Sequence, residues 1–295
     1  ITFWNMDADG GNKAEFADSW PGSLSLNQHD GTYWFVYFEE LTTTHPDGKP
    51  QTELHAIRDD GTDDHDLWSD SSMVYMDGWN GPICWMTGDA AISWVTWEID
   101  SNGISLPGIY TATMSWGEDD GTPSLGTPEK VHDLDTYDYD TGDVRAAGSS
   151  PNWSADGNMV LYWSYDTGRM LVDFSDPDDP EYPVETSIDY GGEAAFSPDG
   201  TKIAVTDAHK SLIVMDIDGS NAQTIASVKS TKYLWRYIQF IHWSPDSTHI
   251  AYGSIVMNWP DMDCDVYTIG VDGTGKEQLT KKTTTCDWQV PLEWR

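Results

Sequence analysis

The chain has 295 residues, of which 38% are apolar and 22% charged; an all-β fold of this size is commonly one domain, and the apolar share is enough to bury a core. Acidic residues outnumber basic ones 50 to 15, for a formal net charge of −35. That balance argues against a nucleic-acid partner, which needs basic patches, and no run approaches the roughly 18 consecutive apolar residues of a membrane helix.

The N-terminus reads Ile1-Thr2-Phe3-Trp4 without a basic and apolar leader, so it is expected to be a mature or trimmed form. Residues 1–16 look like the outer strands of a blade, with the turn sequence Asp7-Ala8-Asp9-Gly10 between them. The turn Gln28-His29-Asp30-Gly31 precedes an apolar strand at Tyr33-Trp34-Phe35-Val36, and Leu54 to Thr62 forms another hairpin. The apolar run Pro82-Ile83-Cys84-Trp85-Met86 opens a less regular unit and makes Cys84 a buried, inert thiol.

Three later segments share one pattern: Trp153-Ser154-Ala155-Asp156-Gly157, Phe196-Ser197-Pro198-Asp199-Gly200 and Trp243-Ser244-Pro245-Asp246-Ser247. Each leads into an alternating apolar strand. The chemistry is that of a hairpin: the aromatic packs inward, Pro presets φ, Asp bonds the turn backbone and Gly takes the positive φ. A second hairpin follows each, clearest at Ile213-Val214-Met215-Asp216-Ile217-Asp218-Gly219 and matched by Tyr267 to Thr274. Two hairpins make four strands, and recurrence every 40 to 60 residues or so is the mark of propeller blades.

These paired motifs, S-P-D-G before one strand pair and M-D-x-D-G within the next, resemble the PD40-type (WD40-like) repeat of TolB-like β-propellers over nearly the whole chain. The resemblance implies a platform for protein contacts. The blades are expected at about 22–70, 80–130, 150–186, 192–227 and 237–282. A sixth is shared between residues 1–16 and the strand-like C-terminus Gln289-Val290-Pro291-Leu292-Glu293-Trp294. The expectation is thus an all-β, six-bladed propeller of four-stranded antiparallel blades, residues 1–295 as one domain, with both termini closing the ring.

In such a blade the tight hairpins lie on one face. The inter-blade entries and the connections between second and third strands lie on the other. That second face is expected to carry long loops at Leu41 to Thr52, Glu98 to Pro107 and Ser254 to Asp263, where function is usually placed. The inter-blade entries carry Trp20, Asp77 with Trp79, Glu193, Trp235-Arg236-Tyr237 and Asp287-Trp288, and Trp259 sits in a long loop. Flat Trp rings beside carboxylates suit a sugar, whose ring face stacks and whose hydroxyls donate to the acids. Most of the 16 Trp must nonetheless fill the core between blades.

No catalytic motif is found: there is no G-x-S-x-G elbow and no H-x-x-x-H spacing. The propeller consumes the whole chain, which leaves no room for an added hydrolase domain. Asp-x-Asp-Gly pairs lack the Glu that a calcium loop needs at its twelfth position and read as plain turns. A solvated acidic face is the expectation for Asp63-Asp64-His65-Asp66, and no cofactor or metal is expected. The leading expectation is a secreted or periplasmic binding propeller with a polysaccharide or protein partner. The rival is a propeller-type polysaccharide lyase or glycosidase drawing on Glu193, Asp77, Asp287, His242, Tyr237 and Arg236.

Asp supplies 38 of the acids and Lys only 10 of the bases, the balance of a protein from a saline setting. About 1 M salt cuts the Debye length to roughly 3 Å and screens such self-repulsion. By the same topology Cys264 and Cys286 fall at one end of neighbouring strands and are expected to form a disulfide, consistent with export.

Overall fold

Three turns of one chemistry set the architecture. Ser154, Ser197 and Ser244 are each buried, and each hydroxyl donates to the Asp two residues on, Asp156, Asp199 and Asp246, at 2.6, 2.7 and 2.6 Å. Each serine oxygen also accepts an amide from the far arm of the hairpin: Met159, Lys202 and His249 at 3.0, 2.9 and 2.9 Å. The turn's fourth residue has φ of +73° at Gly157 and +70° at Gly200, a region glycine enters without a Cβ penalty. Serine takes the same conformation at Ser247, φ +58°.

The computed structural model describes residues 3–5, 14–17, 24–44, 50–58, 61–69, 73–74, 83–86, 90–100, 103–104, 108–118, 121–134, 136–138, 144–146, 151–164, 168–179, 183–232, 234–258 and 261–280. All regular structure among them is β-strand. Five antiparallel four-stranded blades follow in chain order. The first runs Leu24–His29, Thr32–Thr44, Pro50–Arg58 and His65–Ser69. The second runs Cys84–Met86, Ala91–Asp100, Gly108–Trp116 and Glu129–Asp133, with short strands added at its edges. The third is Asn152–Trp153, Met159–Ser164, Gly168–Asp173 and Val184–Ile188; the fourth is Ala194–Phe196, Lys202–Asp207, Ser211–Asp216 and Gln223–Ser227. The fifth is Trp235–Trp243, His249–Asn258, Asp261–Gly270 and Glu277–Gln278.

The expected boundaries match these five blades to within a few residues. The count of six does not: among the described residues there are five. Residues 1–16 contribute only the two-stranded ribbon Phe3–Asn5 with Ala14–Ala17, a second ribbon pairs Thr136–Asp138 with Val144–Ala146, and the expected closing strand at 289–294 lies outside the described residues. The first ribbon is the outer hairpin expected near the start, and no described strand completes it to a blade.

The core is a set of seams. Trp34, Val36, Leu54 and Ala56 of the first blade pack on Ile92, Trp94 and Tyr110 of the second. Val95 and Ile109 meet Trp153, Val160 and Val172 of the third, whose Leu161 meets Phe196, Ile203 and Val205 of the fourth. Leu212 and Val214 meet Ile238, Trp243 and Tyr252 of the fifth. Period-two alternation supplies both faces of each sheet. Trp34, Trp94, Trp153 and Trp243 are all buried fillers of these seams, as expected for most of the tryptophans.

The described parts of two expected long loops are strand instead. Thr32–Thr44 pairs with Pro50–Arg58, and His249–Asn258 pairs with Asp261–Gly270 through ten residue pairs, against six in the fourth blade's equivalent hairpin. Four extra pairs lengthen the fifth-blade ribbon by roughly 13 Å. Ile255-Val256-Met257 has no turn residue to stop pairing, so the ladder continues and satisfies the backbone.

The turn carboxylates have a pH signature. The Ser244 hydroxyl, then the Thr248 hydroxyl and amide, hold Asp246 down to about 2. A carboxyl depressed on folding stabilises above its unfolded value of about 3.9, and that gain is lost as pH falls through its folded value. In high salt, Asp246→Asn is expected to lower the melting temperature at neutral pH, with the gap to wild type closing steadily below about pH 4. A gap that stays constant down to pH 2.5 would show that the carboxylate is not held.

Candidate functional site

Of the ten expected ligand residues, Trp20, Asp77, Trp79, Trp259, Asp287 and Trp288 lie outside the described residues. So does Cys286, the partner expected for Cys264. Glu193, Trp235, Arg236 and Tyr237 are described, and they fall into two separate places on the inter-blade face.

Glu193 enters the fourth blade and sits at a three-blade seam. Its Oε2 accepts the amides of Phe240 and, at 3.2 Å, Ile241 on the fifth blade's inner strand. Those amides are freed by a bulge between Gln239 and His242, where Phe240 takes φ +57°. Arg169 opens the third strand of the third blade, is 4% exposed, and donates through Nε (3.2 Å) and Nη2 to the Gly192 carbonyl. Its guanidinium lies 5.8 Å over the Trp163 ring. The Arg169 Nη1 is buried with no hydrogen-bond partner among the described residues, as is Nδ1 of His209. His209 has φ +57°, and its carbonyl accepts the Ile238 amide at 2.6 Å.

Burial dominates the electrostatics here. It pushes the Glu193 carboxyl up, against the pull of the Ile241 and Phe240 amides and of Arg169. It pulls Arg169 down to about 10, with Glu193 opposing. The His209 imidazole is lowered by burial first and by the Arg169 charge second. Glu193 is therefore tied into the scaffold as a bulge cap, with the Arg169 charge acting on it from nearby, which is a different role from the ligand or catalytic group expected of it. Arg169 and His209 were not anticipated. Arg169 stands at an unremarkable strand start, and its partner Gly192 is 23 residues away.

Trp235, Arg236 and Tyr237 lie on the projecting ribbon, paired with Met257, Val256 and Ile255. Trp235 is 55% exposed, the one exposed large hydrophobic side chain among the described residues, and Arg236 beside it is exposed too. The strand start is held by Ser230, whose hydroxyl accepts the Arg236 amide at 2.9 Å and donates to its carbonyl at 3.3 Å. Neighbours in a strand point to opposite faces, so Arg236 and Tyr237 diverge. His242 is six steps further along, roughly 20 Å of strand. The catalytic set Arg236, Tyr237 and His242 is thus not gathered into one pocket.

Cys84 is half-buried. Its Sγ reaches the Ser93 carbonyl at 3.7 Å, and burial pushes the thiol up to about 12, so it stays protonated at neutral pH. This bears out the inert reading.

The repeated four-stranded blades make the chain a repeat protein of the β-propeller type. No family model matches it. It is 29% identical over 148 residues to WD repeat-containing protein 1 of Xenopus tropicalis, a match covering 49% of this chain and 22% of that protein. The chain thus spans about a fifth of the length of that relative. Among solved structures, it is similar to oligogalacturonate lyase of Vibrio parahaemolyticus, with 13% identity, a TM-score of 0.43 and coverage of 98% of this chain and 74% of that one. It is also similar to the tricorn protease, with 12% identity, a TM-score of 0.37 and coverage of 96% of this chain and 28% of that one. The activities those names state are those proteins' own. No helix among the described residues is long and apolar enough to cross a membrane.

Proposed function

We propose that this propeller, read as TolB-like from its S-P-D-G and M-D-x-D-G repeats, binds a carbohydrate on its inter-blade face. We place it in a saline extracellular or periplasmic setting, where a Cys264–Cys286 bridge would persist. The observation that carries the reading is Trp235. Where Trp34, Trp94, Trp153 and Trp243 are buried in seams, this ring is left exposed on the lengthened ribbon. The ring face suits pyranose stacking. Net charge of −35 repels polyanions at low salt, which favours a neutral glycan as the ligand. The spread of Arg236, Tyr237 and His242 along one strand weighs for binding over the lyase or glycosidase reading. A protein partner on the same ribbon is the remaining alternative.

The test is a glycan array at high salt, followed by titration of the best hit with wild type and Trp235→Ala. Losing one stacking partner costs about 1.5–3 kcal/mol, so Kd is expected to rise roughly tenfold to a hundredfold with the fold intact. An unchanged Kd, or no glycan bound at all, removes the proposal; release of an unsaturated product from the hit would instead support the enzyme.

A further inference from the structure

On the first blade, two strand pairs of the form acid-x-histidine and acid-x-acid face each other. Glu53 and His55 stand two apart on the third strand and so share a face. Asp66 is paired directly with His55 from the outer strand. A register shift between Leu54 and His55 makes this pairing: Trp68 opposes Leu54, and the extra residue Leu67 lets Asp66 stand opposite the imidazole. Bulges of this kind re-aim side chains next to sites. Asp64 approaches from the turn before that strand, which is fixed by Arg58 pairing with Asp63 at 2.8 Å and by the Gly61 amide donating to the Arg58 carbonyl at 2.9 Å.

The donors converge on one imidazole. His55 is 5% exposed; its Nδ1 lies 3.3 Å from Asp66 Oδ1 and 3.4 Å from Asp64 Oδ1, and its Nε2 lies 3.7 Å from Glu53 Oε2. One donor atom each of Glu53, His55 and Asp66 all fall within 4.8 Å of one another. Tyr37, paired with His55 from the second strand, stacks on the imidazole at 5.2 Å between centroids and donates its hydroxyl to Asp64 Oδ2 at 3.0 Å. The separations exceed the roughly 2.7–2.9 Å of a charge-assisted hydrogen bond. The two separations at Nδ1 match the spacing of donors around one ion, since ligands about 2.1 Å from a tetrahedral metal stand roughly 3.4 Å apart, while Glu53 faces the other ring nitrogen. Three carboxylates around one imidazole also repel each other, and the nearby guanidinium of Arg58 is engaged by Asp63.

We propose that a divalent cation binds here, held by Nδ1 of His55 with Asp66 and Asp64, while Glu53 faces the other ring nitrogen and orients the imidazole. One imidazole with carboxylates is a mixed nitrogen–oxygen set, which favours zinc or manganese over the all-oxygen preference of calcium. Asp66 is 78% exposed, so the ion enters from solvent. Bound there, it ties the third strand to the outer strand and adds stability by mass action.

The full chain, stripped with chelator and held at high salt, is titrated with Zn2+, Mn2+ and Ca2+ by calorimetry. One saturable site is expected, tightest for Zn2+ or Mn2+, with a rise in melting temperature. Asp66→Asn, an exposed change that leaves the fold intact by circular dichroism, is expected to weaken it at least tenfold. Asp218→Asn, a turn carboxylate outside the cluster, is expected to change nothing. Nitrogen NMR of the imidazoles adds a readout independent of folding: one ring nitrogen of His55 shifts on saturation. Equal losses in both variants, no saturable site, calcium bound as tightly as zinc and manganese, or a His55 spectrum unchanged at saturation would each overturn the proposal.

Discussion

Glu193→Ala is expected to destabilise the protein by about 2–4 kcal/mol, because two backbone amides lose their acceptor at roughly 1–3 kcal/mol each. The change strips the acceptor from the Phe240 and Ile241 amides at the bulge. It also removes the charge that opposes the desolvation of Arg169, which is 4% exposed and pulled down to about 10 by burial. Burial moves both groups toward their neutral forms, so the coupling between the two charges adds little, and the lost hydrogen bonds dominate. Two companions sharpen the test. Glu193→Gln keeps an acceptor for the amides and should lose less. The double replacement Glu193→Gln with Arg169→Met removes both charges and is expected to fall well short of the sum of the single losses. Urea denaturation at high salt reads all of these. A Glu193→Ala loss below about 1 kcal/mol would mean that the three-blade seam is not joined through Glu193, and strict additivity in the double variant would mean that its charge is not coupled to Arg169.

The same seam marks where the sequence stops being legible. The turns were readable because each is local: Trp243, Ser244, Asp246 and the fourth turn position lie within five residues, and their chemistry closes on itself. The blade limits followed from those turns. The ribbon at Ile255-Val256-Met257 was readable in principle, since alternation runs on to Asn258 without a breaker, but the length of the segment suggested a loop. Arg169 could not be seen. Nothing in Gly168-Arg169-Met170 signals a buried guanidinium, because its partners arrive from the next blade and are brought in only by the turn between blades. Phe240 is as opaque: a positive φ at an aromatic residue carries no signal, and only the carboxylate of Glu193 explains why the bulge is tolerated. The Glu53, His55, Asp64 and Asp66 cluster lies between these cases. Its two i, i+2 pairs are visible as letters, but the one-residue bulge at Leu67 that sets them face to face is not.

Gly192→Ala is expected to cost about 3 kcal/mol, at or above the top of the overpacking range. A Cβ at this position would lie 2.0 Å from Thr206 Oγ1, 2.2 Å from the Thr206 carbonyl oxygen and 2.9 Å from its carbon. Two of those atoms are backbone, so no rotamer change relieves the clash. Thr206 is fully buried and is bound to the neighbouring residue twice: its hydroxyl accepts the Glu193 amide, and its amide donates to the Glu193 carbonyl, both at 2.8 Å. Moving either segment therefore pulls the Gly192 carbonyl away from Arg169 and Glu193 away from the bulge. The adjacent Gly191→Ala is the control. Its Cβ would meet only the Trp163 ring, at 3.5 Å, an ordinary contact, and the residue is exposed. That change is expected to stay within about 0.5 kcal/mol. The two variants differ by one position and one methyl group, so a shared effect of alanine on the unfolded chain cancels between them. Equal stabilities in urea would show that the close approach of Gly192 to Thr206 does not hold the seam, and the argument for Glu193 would weaken with it.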